Sequence, residues 1–263
     1  MIYLIILAIV QGLTEFLPIS SSGHLLLFYD ILGMDESRLL SILFHIATLL
    51  SVLIYYRKDI WMLIKNPLCR TNRKILTTTI ITCAFVLLFK PFIDATFNSK
   101  YLFIFFLVTA ILLIISDYVN SKNMSSNNKV MTNTTYISNN ITDLNISYKS
   151  AILIGLTQGV ACIPGISRSG STIAIARILG VGEDATKYSF LISIPIIIAS
   201  LILELIGGGG LEGFGVLPIS ISMVVCFVVG LISIKLMTML VSKNRLIYFS
   251  YYLMTLSAVL IFF

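Results

Sequence analysis

Long apolar segments, separated by short polar ones, run along almost the whole chain. A transmembrane helix requires roughly 20 mostly apolar residues, and the segments of about this length lie at 38–56, 75–93, 99–119, 185–206, 216–240 and 245–263. Only 11% of the residues are charged, whereas soluble domains carry about 25%. The pattern therefore predicts an all-α polytopic membrane protein with six full spans, and it excludes an ordinary soluble domain.

Two further apolar segments are too short to cross the bilayer. Residues 2–17 and 150–163 each run into a tip rich in Pro, Gly and Ser, and short apolar pieces follow at 24–33 and 171–181. A short helix, a polar tip and a short returning helix describe a re-entrant hairpin, which is tolerated only where protein or a water-filled cavity surrounds the non-helical backbone. We therefore expect two re-entrant hairpins beside the six spans.

The tips of the two predicted hairpins share a sequence pattern. QGLTEFLPISSSGH at 11–24 aligns with QGVACIPGISRSGS at 158–171, with six identities in fourteen positions. We interpret the chain as a single membrane domain over 1–263, built from repeats at 1–119 and 150–263. Each repeat holds one hairpin and three spans, and this odd number inverts the second copy. Inverted repeats place a site near the bilayer midplane, where the broken helices meet.

The basic residues predict how the chain is oriented. Segment 57–74 carries six basic residues and one acid, and such segments stay on the cytoplasmic side. Counting spans puts the Asn/Ser/Thr-rich segment 120–149, which predicts a flexible linker, and residues 241–245 on the same side. Both termini then fall outside, as does the glycine run at 207–210, which is predicted to be a loop. Although the net charge is +6, no cationic face is long enough to bind a nucleic-acid duplex.

Polar side chains that are rare inside membranes cluster at the two tips. The first tip carries Gln11, Glu15, Ser20, Ser21, Ser22 and His24, and the second carries Ser167, Arg168, Ser169, Ser171 and Thr172. An unpaired charge in hydrocarbon is costly, so intramembrane Glu, His and Arg are candidates for function. A serine hydroxyl close to an imidazole or a carboxylate is the arrangement used in covalent catalysis. The first tip therefore offers a nucleophile and a base.

The second tip is typical of an anion site. Gly165 and Gly170 let the backbone approach a ligand closely, and a helix N-terminus presents free N–H groups. Arg168 adds a planar fork that suits phosphate oxygens. A structural ion pair between Arg168 and Glu15 is the alternative, and the two interpretations are compatible in the empty protein. His45 lies inside a span, where we expect a helix–helix hydrogen bond instead of a catalytic role.

These motifs resemble the undecaprenyl-diphosphate phosphatase family of the bacitracin-resistance type. That family is marked by an (E/Q)xxxE motif, an SS(S/T)GH tip and a PGxSRSxxT motif, which occur here in the same order as QGLTE at 11–15, SSSGH at 20–24 and PGISRSGST at 164–172. The resemblance implies removal of the terminal phosphate from a polyprenyl diphosphate carrier at a site that opens outside the cell membrane. The carrier would thereby be recycled for cell-envelope glycan synthesis, with bacitracin resistance as a consequence.

The resemblance also implies roles for particular residues. Catalytic roles fall on Glu15, Ser21, His24 and Arg168, and diphosphate binding falls on Ser20, Ser22, Gly165, Ser167, Ser169, Gly170 and Thr172. Either Ser21 or a water activated by Glu15 or His24 attacks the terminal phosphorus. A divalent metal, Mg²⁺ or Ca²⁺, would be held by Gln11 and Glu15, although the neutral Gln11 argues against a site that needs two carboxylates. No organic cofactor is implied.

Two other classes of function fit parts of the pattern. Inverted repeats with paired hairpins are also the plan of secondary transporters, including a flippase for lipid-linked phosphate. An anion-binding tip without a nucleophile would favour a transporter, whereas the Ser-Ser-Ser-Gly-His tip favours hydrolysis. A non-catalytic membrane scaffold would leave the intramembrane charges unexplained. The expected partners are a polyprenyl diphosphate lipid and the bilayer, and a homodimer is compatible with the pattern.

Overall fold

A computed structural model describes residues 1–35, 37–96, 99–127, 141–182, 184–206 and 215–262. These residues form no strand, two short 3-10 turns at Ser99–Tyr101 and Ile141–Asp143, and eleven α-helices: α1 (Ile2–Thr14), α2 (Ser21–Leu32), α3 (Arg38–Tyr55), α4 (Arg57–Lys65), α5 (Arg70–Ala95), α6 (Leu102–Asn127), α7 (Tyr148–Val160), α8 (Arg168–Ile178), α9 (Asp184–Ile206), α10 (Val216–Ser242) and α11 (Ile247–Leu260). The predicted all-α architecture is confirmed.

Most of the predicted spans correspond to helices that are long and apolar enough to cross a membrane. In the described part of the chain, four helices are long and apolar enough to cross a bilayer, namely Arg70–Ala95, Leu102–Lys122, Asp184–Ile202 and Val216–Ser242. A fifth span exists if Leu40–Tyr55 is combined with α4, from which it is bent by 77°. A multi-pass membrane protein is therefore confirmed.

The predicted number of six spans is not confirmed. The predicted span 245–263 contains α11, which has 14 residues. At 1.5 Å per residue such a helix is about 21 Å long, whereas the hydrocarbon core is about 30 Å thick. The length of α11 alone therefore does not show that it crosses the membrane.

Short helices joined by polar tips occur where the two hairpins are predicted. Thr14 ends α1 and Ser21 begins α2, while Val160 ends α7 and Arg168 begins α8. A serine caps each returning helix, because the Ser20 and Ser167 hydroxyls accept hydrogen bonds from backbone N–H groups three residues later, at 3.4 and 3.1 Å. Such caps replace the missing helical partner of a backbone N–H group.

Each hairpin packs on a spanning helix of the other half of the chain. Helix α1 packs against α10, and α7 packs against α5. The contacts are close at two glycines that align in the repeat, since an added Cβ would lie 2.7 Å from the Cys226 carbonyl oxygen at Gly12 and 2.6 Å from the Phe85 ring at Gly159. Small residues of this kind let membrane helices approach each other. The two halves are therefore interlocked.

A buried ion pair lies away from the tips. The Arg177 guanidinium donates to Asp117 Oδ1 at 2.6 Å and also to the Asn244 side chain. Asp117 Oδ2 accepts the Ile247 backbone N–H at 2.8 Å. This network joins α6, α8 and the first residue of α11. Because both charges are satisfied by protein partners, we interpret it as structural.

The predicted linker 120–149 differs from a free coil at its described ends. Helix α6 continues to Asn127, and Ile141 and Leu144 are buried in the main core. The Lys74 ammonium donates to the Leu144 carbonyl at 2.9 Å. Residues 128–140 of this segment and the glycine run at 207–210 lie outside the described residues, so the linker and loop stay predictions there.

Alanine at Gly12 or Gly159 should weaken the packing between the two halves. The added methyl group would press on the neighbouring helix, and overpacking of this kind typically costs about 1–3 kcal/mol. Thermal unfolding in detergent measures the loss, with Leu13→Ala as a control because Leu13 is 37% exposed next to Gly12. A melting temperature unchanged in both glycine variants would contradict the interlocked packing.

Candidate active site

The two hairpin tips touch each other. The Gly165 backbone N–H donates to the Ser20 hydroxyl at 3.1 Å, and the Ser169 hydroxyl donates to the Leu17 carbonyl at 3.0 Å. Residues from two motifs that lie more than a hundred positions apart in the sequence thus form direct hydrogen bonds. The tips build one polar site, as the repeat predicts.

Glycines permit this close approach. A Cβ added at Gly170 would lie 2.8 Å from the Pro18 Cβ, and one added at Gly23 would lie 3.0 Å from the Gly165 Cα. Gly165 itself has a φ of +91°, a conformation that only glycine adopts readily. The glycines predicted for ligand approach therefore also bring the two tips together.

Glu15 is the centre of the polar cluster. Its carboxylate accepts hydrogen bonds from the Arg168 guanidinium, from the Ser21 hydroxyl at 2.6 Å and from the Gln11 side-chain amide at 3.1 Å. The residue is only 4% exposed, so its charge depends on these partners. The Arg168–Glu15 ion pair that the sequence offered as an alternative is present. The same buried carboxylate also binds the Ser21 hydroxyl.

His45 belongs to the same cluster, although the sequence suggested a helix-packing role. Its Nδ1 lies 2.8 Å from the Ser41 carbonyl oxygen, and its Nε2 lies 3.9 Å from Glu15 Oε2. A carbonyl only accepts, so Nδ1 carries a proton and the other ring nitrogen faces the carboxylate. The rule that an intramembrane histidine is a functional candidate is the sequence signal that could have identified it.

His24 is held by a partner that the sequence motifs do not contain. Its Nδ1 lies 2.8 Å from the Ser20 carbonyl oxygen, and its Nε2 lies 2.7 Å from the Tyr252 hydroxyl. The His24 and Tyr252 rings are stacked, with centroids 5.7 Å apart. In the neutral ring Nδ1 donates to the carbonyl, so Nε2 accepts from the tyrosine. The structure thus pairs the Ser21 hydroxyl with Glu15, whereas His24 is oriented by Tyr252.

Helix α6 supports both tips from one side. The Thr109 hydroxyl accepts the Ser167 backbone N–H at 3.1 Å and donates to the Gly165 carbonyl at 3.3 Å. The Phe106 ring, one turn earlier, packs edge-on against the His24 ring at 5.3 Å. Neither residue belongs to a tip motif, because an apolar span gives no sequence sign of which face meets the site.

The remaining predicted residues line the tips. The Ser22 and Ser20 hydroxyls lie 3.4 Å apart. The Thr172 hydroxyl is 2.8 Å from the Arg168 carbonyl oxygen and 2.6 Å from the Ser189 hydroxyl. These groups fix the first turns of α2 and α8, and they place the Arg168 guanidinium beside the first tip.

A narrow cleft lies beside the ion pair. Its walls are formed by Glu15, Phe16, Arg168, Ser169, Ser189, Phe190 and Ser193. The Phe16 and Phe190 rings meet edge to face with centroids 5.5 Å apart. Ser189 and Ser193 lie one turn apart on α9, and sequence reasoning missed them because α9 reads as an ordinary span.

The residues around Glu15 provide few metal ligands. Within the described ranges, no three His, Cys, Asp or Glu side chains form a group that could hold a metal ion. One oxygen is available, because the buried Gln11 Oε1 has no hydrogen-bond partner. Mg²⁺ commonly binds through one or two carboxylates plus substrate phosphates. Glu15 and Gln11 therefore fit a metal only together with oxygens from a substrate.

Comparison with known proteins places this chain in a family. Residues 4–259 match the family model described as "Bacitracin resistance protein BacA". Proteins named undecaprenyl-diphosphatase from Carboxydothermus hydrogenoformans and Alkaliphilus metalliredigens are each 36% identical to this chain over 98% of it and over 95% and 97% of their own length. A Methanococcus vannielii protein of the same name is 35% identical over 98% of both chains. The chain belongs to the BacA bacitracin resistance protein family.

Proposed function

We propose that this protein is an undecaprenyl-diphosphatase, which hydrolyses the terminal phosphate of a polyprenyl diphosphate carrier to give polyprenyl phosphate and inorganic phosphate. Family membership and relatives of that name across nearly the full length support the activity. The observation that carries it is the cluster in which Arg168, Glu15 and Ser21 meet between the two tips. One residue binds phosphate, one accepts a proton and one supplies a hydroxyl.

Arg168 is the main group for the diphosphate. Its guanidinium borders the cleft and pairs with Glu15. In the proposed reaction the diphosphate oxygens take the place of the Glu15 carboxylate on the guanidinium, which stabilises the charge on the phosphoryl oxygens. Phosphoryl transfer depends chiefly on positioning and on such electrostatic stabilisation. Ser169 and the N-terminus of α8 stand on the same side of the cleft.

Ser21 and Glu15 form a nucleophile and a base. The Ser21 hydroxyl already donates to Glu15 Oε2 at 2.6 Å. In the serine route, Ser21 Oγ attacks the terminal phosphorus, its proton passes to Glu15, and polyprenyl phosphate leaves. Water then hydrolyses the phosphoserine and releases inorganic phosphate. In the alternative route Glu15 activates a water that attacks the same phosphorus directly.

His24 is better placed to orient the first tip than to activate Ser21. Its Nδ1 is committed to the Ser20 carbonyl and its Nε2 to the Tyr252 hydroxyl. The imidazole therefore fixes the strained Ser20, whose φ is +71°, and Tyr252 holds the ring in that orientation. Since the neutral ring has no free proton for the leaving phosphate, we assign His24 an orienting role at the first tip.

A divalent metal would be held by Glu15 and the Gln11 carbonyl oxygen together with substrate oxygens. When bound, it would supply further positive charge to the diphosphate. The unpartnered Gln11 Oε1 supports this assignment. The residues described above bind, orient and exchange protons without it.

The finer membrane arrangement is also part of the proposal. Six spans in two inverted repeats explain why α1 packs on α10 and α7 packs on α5, since α5 and α10 are the second predicted spans of their halves. The basic segment 57–74 then faces the cytoplasm, both termini lie outside and the site opens to the extracytoplasmic side. A transporter would share this plan, but the hydroxyl–carboxylate contact favours hydrolysis.

The Arg168→Ala variant should lose at least about 100-fold in turnover, the scale for removing one preorganised donor to a transition-state oxyanion. Phosphate release from a long-chain prenyl diphosphate by the purified protein in detergent measures it. Arg70→Ala is the matched control, because the Arg70 side chain is 69% exposed and pairs only on the surface with Asp143. A wild-type protein that binds the lipid but releases no phosphate at any metal concentration would contradict hydrolysis and favour the transporter.

Ser21→Ala separates the two routes of attack. If Ser21 is the nucleophile, we expect turnover to fall to background, because knocking out a nucleophile typically costs several orders of magnitude. Acid quenching followed by mass spectrometry should find a phosphoserine on Ser21 of the wild type. Ser220→Ala, at an exposed position on α10, is the control. Near-normal turnover of Ser21→Ala would exclude the serine route and leave water as the nucleophile.

Tyr252→Phe should slow turnover while leaving lipid binding intact. The change removes one hydrogen bond to His24 Nε2 and keeps the stacked ring, and a single hydrogen bond contributes about 0.5–1.5 kcal/mol. We therefore expect a fall of about two- to tenfold in kcat at unchanged KM. Tyr251→Phe is the control, since Tyr251 is 57% exposed on the same helix. Equal rates for both variants would remove Tyr252 from the site.

A further inference from the structure

Helix α4 turns away from the span that precedes it. Residues Leu40–Tyr55 form an apolar helix, and α4 follows after one residue at an angle of 77°. A helix at this angle to a spanning helix runs close to the membrane plane. One side of α4 packs on the protein, because Tyr56 and Leu63 are buried in the main core and Ile60 packs against that core.

A face of α4 next to this buried side is apolar and exposed. Trp61 and Ile64, which are 58% and 63% exposed, lie three residues apart on one stripe of the helix, and Leu68, which is 84% exposed, lies in the turn that follows the helix. Arg57 begins the same stripe, and the Lys65 ammonium lies 5.2 Å from the centre of the Trp61 ring. Large apolar side chains with basic neighbours thus face outward together.

The charge of this helix is unbalanced. Asp59, the one acid in segment 57–74, pairs with Lys187 of α9 at 3.3 Å. The neighbouring cations Arg57, Lys58 and Lys65 are exposed. The protein therefore packs against the inner face of α4 and pairs its one acid. The cations and the exposed apolar side chains face the surroundings of the protein.

We propose that α4 is an interfacial anchor that binds anionic phospholipid headgroups. A helix with this composition lies in the interface with its apolar face about 5–10 Å into the headgroup and acyl boundary. Tryptophan favours that depth, and basic side chains near an anionic leaflet are attracted to it. Phosphate diester headgroups match the cations, and acyl chains match Trp61, Ile64 and Leu68. This binding site is separate from the proposed hydrolysis and does not depend on it.

The chain supplies its own reporter for a test. Trp61 is the single tryptophan of the sequence, so its fluorescence in the unmodified protein reports on α4 alone. The protein is reconstituted into vesicles of phosphatidylcholine and phosphatidylglycerol in equal parts, with bromine atoms on the acyl chains of one lipid at a time. Quenching then measures which lipid touches Trp61 and at what depth.

We expect brominated phosphatidylglycerol to quench Trp61 at least about twofold more than brominated phosphatidylcholine at the same fraction. The preference should fall at high salt, since ions screen exposed charges. In the Lys58→Gln/Lys65→Gln variant the ratio of the two should approach one. Lys90→Gln/Lys235→Gln, which removes the same charge elsewhere, should keep the wild-type ratio. Because each ratio is taken within one variant, altered Trp61 emission does not affect it.

Two results would overturn the proposal. Equal quenching of the wild type by the two brominated lipids would show that α4 does not select anionic headgroups. Quenching by acrylamide from the water phase without quenching by either brominated lipid would show that Trp61 does not lie in the interface. Phosphate release is not part of either readout, so failure of the proposed hydrolysis would leave this test unaffected.

Discussion

The buried contact between Glu15 and Arg168 is the interaction on which the rest of the structure depends. A charge taken out of water is costly unless a partner of opposite charge stands next to it. Each half of the chain contributes one member of this pair, so neither hairpin is satisfied alone. The glycines between the tips and the exchanged packing of α1 and α7 are the means by which the two charges come within contact.

The two tips share a sequence pattern, and the positions at which they differ carry the reactive side chains. Ser21 and Arg168 occupy equivalent positions and are the first residues of α2 and α8. Both side chains reach the same Glu15 carboxylate. Cys162 stands where the second half would need its own Glu15. One carboxylate therefore serves both tips, and the site is asymmetric although the two tips share a sequence pattern.

Much of this arrangement could be predicted from local sequence, and the rest depends on how helices rotate. Tip residues such as Ser167 and Gly165 can be recognised from the sequence, because capping serines and glycines interrupt an apolar pattern. Tyr252 cannot, since a span that is apolar on all sides gives no sign of which face meets the site, and for His45 the residue type is the one sequence signal. Hydropathy likewise marked 245–263 as a span, but it does not fix where the helix within that stretch begins and ends.

In the proposed reaction the same ion pair also controls when Glu15 can act as a base. While Arg168 pairs with Glu15, the guanidinium weakens the carboxylate as a base. A diphosphate that takes over the guanidinium frees that oxygen, and the carboxylate that remains against the Ser21 hydroxyl becomes a stronger base at the moment when the phosphorus is in place. The contact that stabilises the empty tips thus keeps the nucleophile weakly activated until substrate arrives, which limits side reactions in a site lined with hydroxyls.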